Sequence, residues 1–158
     1  MDKRFISTAV FCLMAWTARA EQVPAVFVYS DEDGAEDIAC SIRGASIVAA
    51  VESELRHNRI SIATQDQYNK AEAISAAIVT TSLELSGGLC VTGYELSLEN
   101  GQYVTVDVTN ERRFAKVVFC AVSGVMSGAG SGMQGRLNTQ FRDLTSECVS
   151  EYLAKSGR

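Results

Sequence analysis

The stretch LCVTGYELSLENGQYVTVDV, residues 89–108, carries the clearest structural pattern in the chain. Apolar and polar residues alternate over Leu89–Leu98 and again over Tyr103–Val108, which predicts two β-strands. Asn100-Gly101 stands between them and favours a type I′ turn, because both central residues of that turn need positive φ. We therefore expect an antiparallel hairpin centred on Asn100-Gly101. Cys90, Tyr94, Leu96 and Leu98 share one side of its first strand.

Other short runs extend this pattern into a sheet. Ala25–Tyr29 and Ile60–Thr64 read as strands, and Ala77–Leu85 is assigned as a third, although residues 71–85 also contain a helix-favouring half. Lys116–Val122 is almost wholly apolar, which is typical of a central strand covered on both faces. The polar residues Thr109–Arg113 are expected to form a turn before it.

Two long helices complete the predicted layout. The first begins near Asp33, in an acidic turn, and presents one apolar face: Ile38, Ile42, Ala45, Val48, Val51 and Leu55. The second runs from about Met133 to Lys155, with Leu137, Phe141, Leu144, Cys148 and Tyr152 on its face. The predicted fold is α+β, a two-layer sandwich with a mostly antiparallel sheet of four to six strands and both helices on one face. The expected order is β-α-β-β-β-β-β-α.

The first twenty residues have the layout of a secretory signal peptide. Lys3 and Arg4 precede an apolar run of about a dozen residues, and Ala18-Arg19-Ala20 forms a small-x-small cleavage site. The expected domains are therefore a signal peptide over residues 1–20 and a single exported domain over residues 21–158. We expect a periplasmic or secreted protein without membrane insertion once the signal is removed.

Four cysteines remain after that cleavage, at positions 40, 90, 120 and 148. An even number in an exported chain predicts two disulfides. Three pairings are possible, and we favour Cys120 with Cys148, because a strand and the helix packed on it bring such residues close. Cys40 would then pair with Cys90. No catalytic thiol is implied.

The net charge of the chain limits the classes of molecule that it is expected to bind. The full chain has 14 basic and 19 acidic residues, and cleavage of the signal leaves 11 and 18, a net charge of −7. An acidic chain without clustered Lys and Arg lacks the electrostatic footprint of a nucleic-acid-binding protein. We expect a protein partner and no nucleic acid.

Gly130, Gly132 and Gly135 spell G-x-G-x-x-G, the fingerprint of a dinucleotide-binding loop. That site needs a second parallel strand after the helix with an acidic residue near its end, and the sequence offers no such strand. We interpret Gly124–Gly132 as a pliable strand-to-helix loop, with Ser131 and Gln134 forming a capping box. No cofactor is expected.

The remaining candidates for chemistry have plain structural interpretations. His57, the only histidine, sits at a predicted helix end, where a cation stabilises the helix. The acidic cluster at residues 31–37 departs from the register of a calcium-binding EF-hand loop and is interpreted as helix capping. No metal or catalytic residue is assigned from the sequence.

Two surface features suggest function. Glu95, Asp107 and Glu111 lie on or near neighbouring predicted strands, and paired carboxylates can hydrolyse glycosidic bonds. Tyr103, Thr105 and Asp107 lie on the polar side of their predicted strand and form a possible contact surface.

The sequence favours a non-catalytic periplasmic or secreted binding or accessory domain acting through a protein surface. The alternatives are a small secreted hydrolase using carboxylates and a secreted enzyme inhibitor. The order of elements resembles that of small envelope domains such as the amino-terminal domain of TolB and the lipopolysaccharide-assembly lipoproteins. That resemblance is one of layout and carries no shared motif.

Overall fold

The computed structural model describes residues 24–31 and 35–155. The predicted signal peptide lies outside the described residues, as do the first acidic residues expected to begin the first helix. The described elements follow in this order: β1 (Ala25–Ser30), α1 (Ala35–Ala39), α2 (Gly44–His57), α3 (Gln65–Asn69), β2 (Ala73–Leu85), β3 (Leu89–Val106), β4 (Glu111–Ala129) and α4 (Gly130–Lys155).

The four strands form one mixed sheet in the order β1-β2-β3-β4. β1 and β2 are parallel, while β3 is antiparallel to both of its neighbours. Ile62 adds a single parallel bridge to Val26 at the outer edge of β1. The predicted strand Ile60–Thr64 is therefore reduced to that one bridge, and the ambiguous residues 73–85 are strand throughout.

Helices α2 and α4 cover one face of the sheet, so the predicted α+β class with helices on one face is confirmed. Apolar residues spaced three or four apart are buried on both helices. In α4 these are Met133, Leu137, Phe141, Leu144 and Cys148. They pack against alternate residues of the sheet, among them Ile78, Leu96 and Leu98, because successive strand side chains point to opposite faces.

The predicted first helix is wrong in one respect: it is two helices. Between α1 and α2 the chain turns at Ser41, which has a φ of 59°, and the Ile42 amide donates to the Asp37 carbonyl oxygen at 2.8 Å. Cys40, just before this turn, is bonded to Cys90 of β3, so the chain turns where it is joined to the sheet. Gly44 is the first residue of α2.

The predicted hairpin turn at Asn100-Gly101 is also wrong. β3 runs straight through these residues to Val106, so Leu89–Leu98 and Tyr103–Val108 are parts of one strand and not partners. A Cβ on Gly101 would lie 2.5 Å from the ring of Phe114, so the glycine serves a close approach and not a turn. The actual turn spans residues 107–110, where Asn110 adopts a φ of 52°.

β4 differs from the prediction at both ends. It begins at Glu111, inside the expected turn, and it is the edge strand of the sheet. Val117 and Val118 are 38% and 53% exposed, so Lys116–Val122 is not covered on both faces. Its other end reaches Ala129, and α4 begins at the next residue, so the expected glycine-rich loop over residues 124–132 does not exist. The expected capping box is absent too, because Gln134 Oε1 accepts from the Arg43 amide at 2.7 Å.

Disulfides join the two cysteine pairs that the sequence favoured. Cys40 and Cys90 have a Cα–Cα distance of 5.9 Å, and Cys120 and Cys148 one of 5.5 Å. Gly130, the first residue of α4, lies against the first bridge, since a Cβ there would be 3.3 Å from Cys90 Sγ. The helix thus touches one bridge at its beginning and carries half of the other near its end.

We predict that the double substitution C120S/C148S lowers the free energy of unfolding by about 3.6 kcal/mol and C40S/C90S by about 4 kcal/mol, from the chain entropy of loops of 28 and 50 residues. Urea unfolding at neutral pH, followed by circular dichroism, measures both losses. Reduction of the parent protein should reproduce their combined effect. Unfolding midpoints equal to that of the parent would contradict the prediction.

Candidate binding site on the open face of the sheet

One face of the sheet carries neither α2 nor α4, and we call it the open face. It presents the odd-numbered residues of β2 and β3, such as Val79, Leu83 and Glu95, together with Val125 of β4, which is 74% exposed. No helix long and apolar enough to cross a membrane occurs in residues 24–31 and 35–155. The open face is the side of the sheet that α2 and α4 leave accessible.

The hairpin of β3 and β4 extends beyond the rest of the sheet. β2 pairs with β3 only as far as Glu99, so residues 100–117 form a two-stranded extension that we call the arm. Tyr103 and Thr105 lie on its open-face side and are exposed, while Asp107 lies in the turn at its tip. The predicted contact surface is therefore spread along the arm, and its best-placed member is Tyr103.

A groove of about 480 Å³ separates the base of the arm from the turn that follows α3. Its walls combine three aromatic rings with amide and guanidinium groups: Tyr68, Asn69, Asn100, Tyr103, Arg112 and Phe114. Of these, sequence reasoning selected Tyr103 alone. Arg112, Phe114 and Lys116 alternate along β4 and so share one face, but that signal was hidden by the assignment of Thr109–Arg113 to a turn.

The aromatic side chains hold one another in place. The rings of Tyr103 and Phe114 meet edge to face with centroids 5.5 Å apart, and Phe114 lies over Gly101. On the opposite wall, Tyr68 stacks on Phe27 with centroids 5.1 Å apart, and Phe27 in turn lies 6.0 Å from Tyr29. Paired rings of this kind gain stability beyond their buried area, so the groove walls are pre-organised.

Arg112 is the cationic group of the groove. Its guanidinium carbon lies 5.2 Å from the centroid of the Tyr103 ring, a cation–π contact. Neighbouring Arg113 is paired with Glu111 at 2.8 Å, whereas Arg112 has no carboxylate partner among the described residues. In a chain with a net charge of −5, this leaves an uncompensated positive group beside three aromatic rings.

A buried carboxylate fixes the base of the arm. The side chain of Glu99 is 7% exposed, and its Oε1 accepts hydrogen bonds from Lys116 Nζ at 2.8 Å and from the Tyr29 hydroxyl at 3.3 Å. Ser75 Oγ also donates to the Glu99 carbonyl oxygen at 3.2 Å. The carboxylate is bonded from β1 and β4 and the Glu99 carbonyl from β2, so Glu99 ties the base of the arm to the other three strands.

This network raises the pKa values of two of its members, Tyr29 and Lys116. Burial raises the pKa of Tyr29 above 10.0, and the nearby Glu99 charge raises it further. The hydrogen bond to Glu99, and then its charge, raise the pKa of Lys116 above 10.5. A group whose pKa is higher in the folded state contributes stability below its unfolded pKa and loses it as the pH rises. The network therefore weakens in alkaline solution.

The three carboxylates of the hydrolase hypothesis are not brought together. Glu95 lies on the open face of β3, and twelve residues separate it from Asp107, a distance of about 40 Å along a strand. Glu111 is exposed and paired with Arg113. Glycosidase carboxylates lie about 5–10 Å apart, so Glu95 cannot act with the other two.

The structure also places the other residues that the sequence analysis considered, namely the three glycines, His57 and the acidic cluster. Gly130, Gly132 and Gly135 all lie within α4, and Gly130 donates its amide to the Gly88 carbonyl oxygen at 3.1 Å. His57 is exposed as the last residue of α2. Asp37 is buried in α1, while residues 32–34 of the acidic cluster lie outside the described residues. Within the described ranges, no group of His, Cys, Asp and Glu is placed to hold a metal ion.

We predict that Glu99→Gln lowers the pKa of Tyr29 and reduces the loss of unfolding free energy between about pH 9 and about pH 11, because it removes the charge that raises both pKa values. Absorbance of tyrosinate identifies Tyr29 by comparison with Tyr29→Phe, and urea unfolding gives the stability.

The matched control for this prediction is Glu95→Gln, on the same strand and face but exposed. This variant should leave unchanged both the pKa of Tyr29 and the loss of unfolding free energy in alkaline solution. An unaltered Tyr29 titration in Glu99→Gln would contradict the proposed network.

Comparisons with known proteins do not identify a family. No protein-family model and no curated protein match the chain. One solved structure that is similar is a PelC variant dodecamer from Paraburkholderia phytofirmans, at 14% sequence identity and a TM-score of 0.44. The match covers 83% of this chain and 89% of that one. This level of similarity carries no conclusion about function.

Proposed function

We propose that this chain is an exported, non-catalytic binding domain that holds a protein partner in the groove between the arm and the turn after α3. The observation that carries the proposal is the groove itself, in which Tyr68, Tyr103 and Phe114 surround space next to the guanidinium of Arg112. Tyrosine and arginine are, with tryptophan, the residue types enriched at energetic centres of protein interfaces.

The positive charge in the groove indicates which chemical groups of a partner would bind there. Arg112 is positive and has only a tyrosine ring as its described contact, so an acidic side chain or a chain-terminal carboxylate could pair with it. The aromatic rings beside it suit an apolar or aromatic neighbour of that carboxylate. We therefore expect a peptide segment that combines an apolar side chain with an adjacent negative charge.

Export is supported by the two disulfides. Bridges of this kind form and persist in oxidising compartments such as the periplasm or the extracellular space. The predicted signal peptide agrees with that location, and an exported partner is accordingly expected. Neither the hydrolase nor the inhibitor hypothesis is favoured by a particular contact in the described residues.

We predict that a photoreactive benzoylphenylalanine in place of Tyr103 captures the partner in the envelope or culture fluid of the source organism. With the captured protein purified, Tyr103→Ala and Arg112→Ala should each weaken its binding about 30-fold, the effect of removing an interface hot spot. Isothermal titration calorimetry measures the affinities.

The matched control places the same photoreactive residue at Arg142, which is exposed on α4 away from the groove. It should not capture the same protein, and Arg142→Ala should leave the affinity unchanged. Equal capture from positions 103 and 142, or affinities unaffected by Arg112→Ala, would refute the assignment of the groove.

A further inference from the structure

The outer edge of β4 is unpaired. The sheet order ends at β4, so one side of this strand presents backbone amides and carbonyls that no other described strand bonds. An exposed strand edge is a template for pairing with another strand. Folded proteins usually guard such edges with charges, prolines or bulges, which makes an unguarded stretch informative.

One part of β4 lacks those guards. The strand carries charge at positions 111, 112, 113 and 116, and its register against β3 shifts between Leu98 and Glu99, which marks a β-bulge at Phe119. At the other end, Arg136 Nη1 donates to the Ser127 carbonyl oxygen at 2.7 Å and lies against Gly128. Between these features, residues 120–126 (CAVSGVM) form a regular, uncharged, proline-free stretch, which we call the free edge.

The opposite edge of the sheet is closed at its centre. The Val26 amide donates to the Ser61 carbonyl oxygen at 2.9 Å, and the Ala63 amide donates to the Val26 carbonyl oxygen at 2.9 Å. Residues 61–63 therefore occupy the edge of β1 at the position where a further strand would otherwise pair with it. Head-to-tail pairing of β1 with β4 of another copy is therefore obstructed, whereas β4 can still pair with β4.

We propose that the free edge pairs in antiparallel fashion with the free edge of a second copy of this chain, about a two-fold axis through Ser123. In that register Ser123 meets its own counterpart, and Ala121 meets Val125 of the second copy. The pairing is bounded on each side by the features that guard β4, namely the bulge at Phe119 and the Arg136 contact.

Electrostatics favour a second copy at this place. Two acidic chains repel each other, so self-association is least opposed at a surface without carboxylates, and the free edge has none. Each residue of the segment meets an uncharged residue of the same segment, and the interface is self-complementary, as two-fold symmetry requires. Pairing about this axis gives one eight-stranded sheet with α2 and α4 of both copies on one side.

The interface is small. Seven strand residues span about 23 Å, and a contact along one edge falls at the low end of interface sizes, below about 1,200 Å² in total. We therefore expect a reversible dimer whose population rises with protein concentration. Sedimentation-velocity centrifugation of the purified protein over a hundredfold concentration range measures the association directly.

Ser123→Asp tests the register. It places two like charges opposite each other at the axis, so we expect the dissociation constant to rise at least about tenfold. Thr81→Asp is the matched control, because Thr81 is exposed on the same open face but lies on β2, two strands from the edge. It should leave the dimer intact.

A second measurement tests the same pairing by trapping the dimer with a new cross-link. Ser123→Cys should form an intermolecular disulfide under mild oxidation, since directly opposed residues on antiparallel strands have Cβ atoms about 5 Å apart. Thr81→Cys should not form one. A parent protein that stays monomeric at every concentration would overturn the proposal, and so would a dimer that Ser123→Asp leaves unchanged. An equal loss of dimer affinity in Ser123→Asp and Thr81→Asp would also overturn it, because that result would indicate that the open faces stack on each other.

Discussion

The Cys120–Cys148 disulfide and the close packing of Gly130 on the Cys40–Cys90 bridge hold α4 against one face of the sheet, and the accessibility of the other face follows from that constraint. Gly130 begins the helix against the Cys40–Cys90 bridge, and Cys148, near its far end, is bonded to Cys120 of β4. A helix that follows β4 without a loop and is bonded to that strand near its far end cannot swing to cover the opposite side. Since α2 packs beside it on the same face, the apolar side chains of the open face, such as Leu83 and Val125, remain exposed.

The arm depends on side-chain contacts because the helices do not reach it. A two-stranded hairpin alone is marginally stable in water. Here the buried carboxylate of Glu99 ties the base of the arm to Tyr29 and Lys116, and the ring of Phe114 lies over Gly101 against Tyr103. The same contacts that stabilise the arm therefore shape one wall of the groove, which links stability at this place to the proposed binding.

The fold class, the terminal helix and the favoured cysteine pairing could be predicted because each rests on a local pattern or a small number of alternatives. The apolar spacing of Leu137, Phe141 and Leu144 admits one helical face, and four cysteines allow only three pairings. The errors arose where a distant contact overrides a local signal. Asn100-Gly101 favours a turn locally, but the ring of Phe114, thirteen residues from Gly101, occupies the space that the glycine leaves. The break between α1 and α2 lies next to another such contact, the bond from Cys40 to Cys90.

The groove was missed for a related reason. Tyr68 and Phe114 are distant in sequence and approach only because β3 continues past the sheet and returns as β4. The two proposed surfaces also use different parts of β4. The groove uses side chains of residues 112 and 114, whereas the free edge uses backbone groups of residues 120–126. Two-fold pairing at the edge would place both grooves on the same side of one continuous sheet. A partner that presents two binding segments would then gain affinity from the second without any new kind of contact, because its second binding step becomes intramolecular.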